Sequence, residues 1–249
     1  MNRDNDNEQP TVAVKSKFKA QRILYVAPSG MGKTYLLCQR VLEYIKEKRY
    51  DPKHIIIFAC NHLTDQSLEP LIKRCSKTVK EFQQTHCYKD INVELINALY
   101  DSQNYIMEQQ RREAPHYLLI LDDQLTSPDL FSAKSPIRDV MIQGRHRNIS
   151  IIINQQKLKM SSVGSSLIRE NCSEINIGSL SSQGLVEGIA EDYSGGLADN
   201  RKDARKIFVK MYQDAVASCK GKGFITIRPE VMLGEGRFTR SCDGLSYDR

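Results

Sequence analysis

The most constraining feature of this 249-residue chain is the segment Ala-Pro-Ser-Gly-Met-Gly-Lys-Thr at residues 27–34. It lies between an apolar run at residues 23–26 and an amphipathic stretch that begins at Tyr35. A strand that passes through a tight glycine-containing turn into a helix directs several backbone N–H groups at one point, where they can bind phosphate. In such a turn Lys33 contacts the β- and γ-phosphates of a nucleotide, and the Thr34 hydroxyl is a ligand of Mg²⁺. The pattern therefore predicts a phosphate-binding loop (P-loop) formed by Pro28, Ser29, Gly30, Met31, Gly32, Lys33, Thr34 and Tyr35.

One position departs from the commonest form of this loop, since Ala27 stands where a glycine is usual. Alanine is tolerated there as long as the residue keeps a negative φ. Gly30 and Gly32 remain at the positions where the backbone must approach the phosphates closely. The substitution therefore leaves the prediction of nucleotide binding in place.

The rest of the chain alternates between short apolar runs rich in β-branched residues and longer helical patterns, which is typical of a mostly parallel sheet. We predict strands at residues 23–26, 54–59, 117–121, 149–154, 174–177 and 223–227. We predict helices at residues 33–48, 93–112, 135–143, 182–191 and 204–218. In the last helix Ile207, Met211 and Ala215 recur at helical spacing and predict a buried stripe. The predicted fold class is α/β, with a mostly parallel central sheet flanked by helices.

The two ends of the chain differ in composition from its middle. Residues 1–20 read as a polar N-terminal arm, and residues 1–10 are acidic. Residues 234–249 have few apolar side chains and many glycines, serines and charges, which is typical of a flexible tail. No linker divides the remainder, so we expect one domain at residues 21–233.

A second motif is the apolar run at residues 117–121 followed by Asp122 and Asp123. A carboxylate at the C-terminal end of a buried strand lies beside the P-loop and can hold the Mg²⁺ shell, and we assign this role to Asp122. Asp123 has the position of the acid that polarises the attacking water in hydrolytic P-loop proteins. An acidic pair after a strand is, seen alone, also compatible with a helix cap or a solvated turn.

The third motif runs from Gly-Arg-His-Arg-Asn at residues 144–148 through an apolar strand to Asn-Gln-Gln at residues 154–156. An amide at the end of this strand can lie between the catalytic acid and the γ-phosphate. We assign this sensing role to Gln156, with Gln155 as the alternative if the register shifts by one residue. Arg145 and Arg147 precede the strand and so lie at its opposite end. An arginine there can stabilise transition-state charge on the γ-phosphate of a neighbouring subunit, and a surface ion pair is the alternative for each.

Taken in order, these motifs resemble the poxvirus-type genome-packaging ATPases, within the wider FtsK–HerA group of DNA-pumping motors. The residues that carry the resemblance are the P-loop, Leu-Leu-Ile-Leu-Asp-Asp, Gly-Arg-His-x-Asn-x-Ser and a strand ending in glutamine, and the block at residues 144–156 is the most specific. The resemblance implies a RecA-like core, dependence on ATP and Mg²⁺, ring-shaped homo-oligomers, and translocation of double-stranded DNA into a preformed capsid with a capsid or portal-type partner. By position it assigns phosphate and metal binding to Gly30, Gly32, Lys33, Thr34 and Asp122, water activation to Asp123, γ-phosphate sensing to Gln156 and a contact in trans to Arg145.

Two basic segments bear on contact with DNA. The net charge of +6 permits an anionic partner without proving one. Lys157 and Lys159 follow the sensing strand, where other RecA-like motors present a loop to the central channel. Phosphate contacts need only positive charge there, so we predict DNA contacts at these two lysines, and an ordinary solvated loop is the alternative. A second basic cluster at residues 201–206 is expected to face solvent.

Composition narrows the class of protein. The seven cysteines are odd in number and never spaced as CxxC, which favours reduced thiols in an intracellular protein. No segment resembles a signal peptide, and none approaches the roughly 20 apolar residues that cross a bilayer. We expect a soluble protein that is not secreted and has no membrane partner. The resemblance places it in the virion and at the host-cell site of virus assembly, in the cytoplasm.

Three functions are compatible with these motifs, and their order along the chain favours an ATP-hydrolysing motor that packages viral DNA. A nucleoside or nucleotide kinase also needs a P-loop, but it leaves Asp123 without an evident role, and no Arg-rich lid segment is present. A non-catalytic, nucleotide-binding protein associated with the capsid is the third possibility. The guanine motif Asn-Lys-x-Asp is absent, which disfavours a GTP switch.

Overall fold

The structure is a computed structural model that describes residues 18–61, 63–76, 78–109, 114–124, 135–156 and 169–241. The strands are β1 (Arg22–Val26), β2 (Ile55–Ala59), β3 (Cys87–Tyr88), β4 (Tyr117–Asp122), β5 (Ile149–Gln155), β6 (Glu174–Ile177), β7 (Ile225–Ile227) and β8 (Phe238–Arg240). They form one sheet in the order β3-β2-β4-β5-β1-β6-β7-β8. The strands from β3 to β6 in this order are parallel, and β7 and β8 are antiparallel additions at one edge.

Helices cover both faces of the sheet. They are α1 (Lys33–Lys46), α2 (Glu69–Cys75), α3 (Val79–His86), α4 (Val93–Asn104), α5 (Pro136–Gln143), α6 (Gln183–Tyr193) and α7 (Arg201–Gly221). In the central strand β1, Ile23 and Tyr25 pack towards α1, α2 and α3, whereas Leu24 and Val26 pack towards α4 to α7. A parallel strand covered on both faces must be apolar throughout, which explains the continuous apolar runs in the sequence. The predicted α/β fold with a mostly parallel central sheet flanked by helices is confirmed.

Side chains that cap helices fix where several of them begin. The Asn92 side chain accepts a hydrogen bond from Leu95 N (2.9 Å) at the start of α4, and Ser135 Oγ accepts one from Ile137 N (3.2 Å) at the start of α5. Each cap satisfies a backbone N–H that has no partner within its own helix. The predicted helix at residues 93–112 begins as expected, but the α-helix ends at Asn104 and continues as a π-helical turn at Tyr105–Gln109.

All six predicted strands are present, but short elements were missed. The strand β3 and the helices α2 and α3 had no prediction, and β8 lies inside the segment expected to be a flexible tail. Phe238 of β8 is fully buried, since it packs against Phe208 with ring centroids 5.7 Å apart. The tail prediction is therefore wrong for residues 238–240. Residues 1–17 of the predicted arm and residues 242–249 lie outside the described part of the chain.

Two further details differ from expectation. Ile207 is 40% exposed, so the predicted stripe of α7 is wrong at that residue. The buried face is instead shifted by one position, to Phe208 together with Met211 and Ala215. Cys219 is disulfide-bonded, which corrects the prediction that all seven cysteines are reduced. No helix in the described ranges is both long and apolar enough to cross a bilayer.

Candidate nucleotide-binding site

The P-loop joins β1 to α1 in the predicted strand–turn–helix arrangement. Gly30 and Gly32 have φ values of 77° and 83°, in the left-handed region that glycine adopts at little cost. A Cβ built at either glycine meets nothing within 4 Å, so the requirement for glycine there comes from the backbone conformation. Ala27 is not among the residues with positive φ, as the sequence required.

Lys33 is held inside this loop. Its side chain is buried, and its Nζ donates a hydrogen bond to the main-chain oxygen of Pro28 at 3.0 Å. Burial lowers the pKa of the Lys33 ammonium, and the nearby carboxylates of Asp123 and Asp122 oppose that effect. Nearby negative charge stabilises the buried ammonium group of Lys33, so this residue is well suited to bind a phosphate group.

Asp122, the last residue of β4, is the point where three elements converge. Thr34 Oγ1 donates to Asp122 Oδ2 at 3.1 Å, and Asn154 Nδ2 donates to Asp122 Oδ1 at 2.8 Å. Burial raises the pKa of the Asp122 carboxyl, Asp123 adds to the increase, and the donors Asn154 and Thr34 oppose it. The carboxylate is thus oriented by its neighbours and lies in an environment that favours a compensating cation.

These residues fit a magnesium ion. The Thr34 hydroxyl and the Asp122 carboxylate are adjacent oxygen ligands, and Asn154 Oδ1 beside them is buried without a hydrogen-bond partner. Among the described residues, no group of three or more His, Cys, Asp or Glu side chains could hold a metal. Mg²⁺ commonly takes only one or two protein ligands and completes its octahedron with phosphate oxygens and water. The oxygen set therefore suits Mg²⁺ bound together with a nucleotide.

Asp123 has an unusual backbone conformation that directs its side chain. Its φ is 52°, in the left-handed region that Asp tolerates better than most residues. Asp123 Oδ1 accepts a hydrogen bond from Gln156 Nε2 at 3.4 Å, and its main-chain oxygen accepts one from Cys60 Sγ at 3.6 Å. The side chain of Gln155 is buried, and its Oε1 has no partner. Of the two amides considered for the sensing role, Gln156 is thus the one that contacts Asp123.

Two buried amides beside this site were not predicted from the sequence. Asn154 pairs in register with Asp122 across β4 and β5, and an amide directly after the apolar run at residues 151–153 was the available signal. Gln124 is 2% exposed and donates from Nε2 to the Lys89 main-chain oxygen at 2.9 Å. This bond ties the segment after Asp123 to the end of β3, which restrains the candidate catalytic acid.

The two arginines of the third motif lie at the N-terminal ends of the parallel strands, opposite the nucleotide site at their C-terminal ends. They belong to a 3₁₀ turn at Gly144–Arg147, immediately before β5. Arg147 forms an ion pair with Glu108 (3.2 Å) and lies over the Tyr100 ring, so the ion-pair alternative describes this residue. Arg145 is exposed and donates from Nε to the His146 ring at 3.3 Å. The structure thus leaves Arg145 the more accessible of the two. Lys157 and Lys159 lie outside the described residues.

Comparisons with known proteins give one matching family model and several similar solved structures. The model of the UvrD/REP helicase N-terminal domain matches residues 6–224. No curated protein matches the sequence. Among solved structures, the genome-packaging NTPase B204 from Sulfolobus turreted icosahedral virus 2 in complex with AMP has a TM-score of 0.53 at 12% identity, covering 84% of this chain and 93% of that chain. The same protein with ATPγS has a TM-score of 0.51 at 12% identity, covering 84% and 92%. B204 from Sulfolobus turreted icosahedral virus, described as a DNA-packaging ATPase, has a TM-score of 0.52 at 13% identity, covering 85% and 94%. At such low identity the likeness shows a common fold.

Proposed function

This chain belongs to the UvrD/REP helicase N-terminal domain family, and we propose that it is a motor that hydrolyses ATP to translocate double-stranded viral DNA into a preformed capsid. The broader class, a P-loop ATPase, follows from the family and the fold. The narrower proposal is supported by the order of the motifs, which resembles the FtsK–HerA packaging ATPases. It is also supported by the shared fold of B204, a viral DNA-packaging ATPase.

The observation that carries this proposal is the convergence of four side chains from two segments, the start of α1 and the end of β4. Lys33 of α1 lies within the electrostatic influence of both Asp122 and Asp123, and Thr34 bonds directly to Asp122. In the proposed reaction Lys33 binds the β- and γ-phosphates, while Thr34 and Asp122 would hold Mg²⁺. Asp123 polarises the attacking water and accepts its proton, and Gln156 orients that water through its contact with Asp123. Bound Mg²⁺ offsets the negative charge of the phosphates.

Asp123 distinguishes hydrolysis from simple nucleotide binding. We expect Asp123→Asn to lower the rate of ATP hydrolysis by about 10²- to 10⁴-fold, because a neutral amide cannot accept the proton of water. Nucleotide affinity, followed with a fluorescent ATP analogue, should remain near that of the wild type. The comparison variant Lys33→Ala should lose affinity and hydrolysis together. Full hydrolysis by Asp123→Asn would remove this residue from the proposed role.

Arg145 is proposed to complete the site of a neighbouring subunit in a ring-shaped homo-oligomer. Arg145→Ala protein mixed into wild type should therefore reduce hydrolysis by more than its share of the mixture. Arg147→Ala is the matched control, since Arg147 is already paired with Glu108 in its own subunit. Activity that falls in strict proportion to the added Arg145→Ala protein would argue against a contact in trans.

Coupling to DNA needs a separate measurement. Linear duplex DNA should stimulate hydrolysis, and the stimulation should fade with added salt, because phosphate contacts release counterions. Lys157 and Lys159 remain the proposed channel contacts, and a capsid or portal-type protein at the site of virus assembly remains the proposed partner. Transfer of phosphate to a nucleoside in an acceptor screen would favour a kinase. ATP binding without hydrolysis under all of these conditions would favour the capsid-associated binding protein.

A further inference from the structure

Two adjoining cavities lie between α1 and the strands β6 to β8 and along the N-terminal ends of the parallel strands, and we call them together the edge groove. Their volumes are about 620 and 700 Å³, and Arg228 lines both. The first lies between α1 and the strands β6 to β8, and the second follows the N-terminal ends of β1, β5 and β6. Arg145, which the proposed function assigns to a neighbouring subunit, lines the second cavity. Apart from Arg145, seven Lys and Arg side chains line the groove, against three carboxylates. The groove is therefore strongly cationic.

Two of the three carboxylates already form ion pairs with arginines of the groove. Glu174 forms ion pairs with both Arg40 and Arg228, and Glu230 pairs with Arg22 at 3.0 Å. Within the part of the chain that the structure describes, Lys19 and Lys46 have no carboxylate partner within 4.0 Å. Both are exposed at the groove, so their charge is available to an anion from outside.

The floor of the groove is polar as well. Thr226 Oγ1 donates to Asn176 Oδ1 at 2.7 Å, and both residues are buried beneath the cations. A phosphate would accept charge-assisted hydrogen bonds from the cationic side chains above this floor. An open, elongated groove fits a chain of phosphates better than a single small anion.

We propose that the edge groove binds the phosphodiester backbone of duplex DNA. This inference rests on the proposed function, since it names a surface through which the motor holds its substrate. Contact is to phosphate alone, as a motor that ignores sequence requires.

The test reverses charge at the two exposed lysines in the full chain. Lys19→Glu and Lys46→Glu remove no described ion pair, so both proteins should fold normally. Lys202→Glu on α7 is the matched control, because Lys202 is also exposed and lies outside the groove. Binding of a fluorescent duplex is measured by anisotropy over a range of salt concentrations. Each groove variant should weaken binding by roughly eight-fold or more at 0.1 M salt and lower the salt slope by about 0.9, the value for one lost phosphate contact. Hydrolysis in the absence of DNA should not change.

The possible failures are distinguishable. A wild-type protein that does not bind duplex would contradict the proposed function itself. A wild type that binds, with Lys19→Glu and Lys46→Glu indistinguishable from Lys202→Glu, would refute the groove and leave the motor intact. The alternative ligand is a small phosphate-containing anion. It is tested by titrating inorganic triphosphate into Lys33→Ala protein, in which the nucleotide site is impaired. Binding that disappears in the Lys33→Ala/Lys19→Glu double variant would show a compact anion site and overturn the assignment to DNA.

Discussion

Replacing Asn154 with leucine tests how the metal-binding carboxylate is oriented. Asn154 Nδ2 donates the shorter of the hydrogen bonds to Asp122, 2.8 Å against 3.1 Å for the closest approach of Thr34 Oγ1. Leucine has the same branching pattern with a larger volume, and it removes that donor. It also removes Asn154 Oδ1, which is buried without a partner. Asp122 would retain Thr34 as its donor, so the change acts mainly on the orientation and charge of one carboxylate.

The expected size of the effect on Mg²⁺ binding follows from the negative charge on Asp122, which accepts the hydrogen bond. A hydrogen bond to an ionised group contributes about 1.5–3 kcal/mol. At about 1.4 kcal/mol per factor of ten, the loss should raise the Mg²⁺ concentration for half-maximal hydrolysis by roughly 10- to 100-fold. The melting temperature should change little, because the variant buries an apolar side chain in place of an amide with one unsatisfied atom.

The assay is ATP hydrolysis titrated with Mg²⁺ at saturating ATP, together with thermal unfolding. Asn176→Leu is the matched control, because Asn176 is equally buried on the next strand but one and bonds to Glu174 and Thr226 away from the site. Asn176→Leu should change the melting temperature and leave the Mg²⁺ concentration for half-maximal hydrolysis unchanged. An unchanged Mg²⁺ requirement in Asn154→Leu, or the same increase in Asn176→Leu, would refute the reasoning.

Two further predictions concern stability. Gly144→Ala should destabilise the fold by about 1–3 kcal/mol, because its Cβ would lie 2.8 Å from the Ile149 oxygen and 3.2 Å from Val140 Cγ1. Gly184→Ala should cost nothing comparable, since a Cβ there meets no atom within 4 Å, and chemical denaturation of both variants compares them. Asp122→Asn should abolish hydrolysis yet stabilise the protein by about 0.5–2 kcal/mol at neutral pH. The folded state raises the pKa of Asp122, so the native protein binds that proton more tightly than the unfolded chain and loses stability as the pH rises through the folded pKa. The gain in Asp122→Asn should accordingly shrink as the pH falls towards 3.8, below which the Asp122 carboxyl is protonated in both the folded and the unfolded chain. Melting curves across pH would contradict this if the gain grew on acidification.

The parts of the molecule that sequence predicted well depend on local pattern. The P-loop follows from a strand, a turn and a helix that are contiguous in the chain, and Asp122 and Asp123 follow directly from an apolar run. In each case the physical requirement lies within a few residues: left-handed φ at Gly30 and Gly32, or a carboxylate at a strand end.

The parts that sequence missed depend on contacts between distant segments. The role of Asn154 follows from its register with Asp122, which is set by the pairing of β4 with β5. The strand β8 was missed because its sequence is polar and its order comes from pairing with β7 and from burial of Phe238. The helix α7 has several apolar residues at compatible spacing, and the tertiary contacts of Phe208 decide which side faces inwards.

The position of β1 in the middle of the sheet determines at which stage of synthesis the chain can first bind ATP. This strand leaves the ribosome early, but its neighbours are β5 and β6, and the bond from Gln21 N to Ser150 Oγ closes a loop of 129 residues. Such long-range closure slows folding, and domains of this size fold as units. A nascent chain that stops before residue 149 holds the P-loop strand without either partner, so the ability to bind ATP arises only after β5 and β6 have been synthesised.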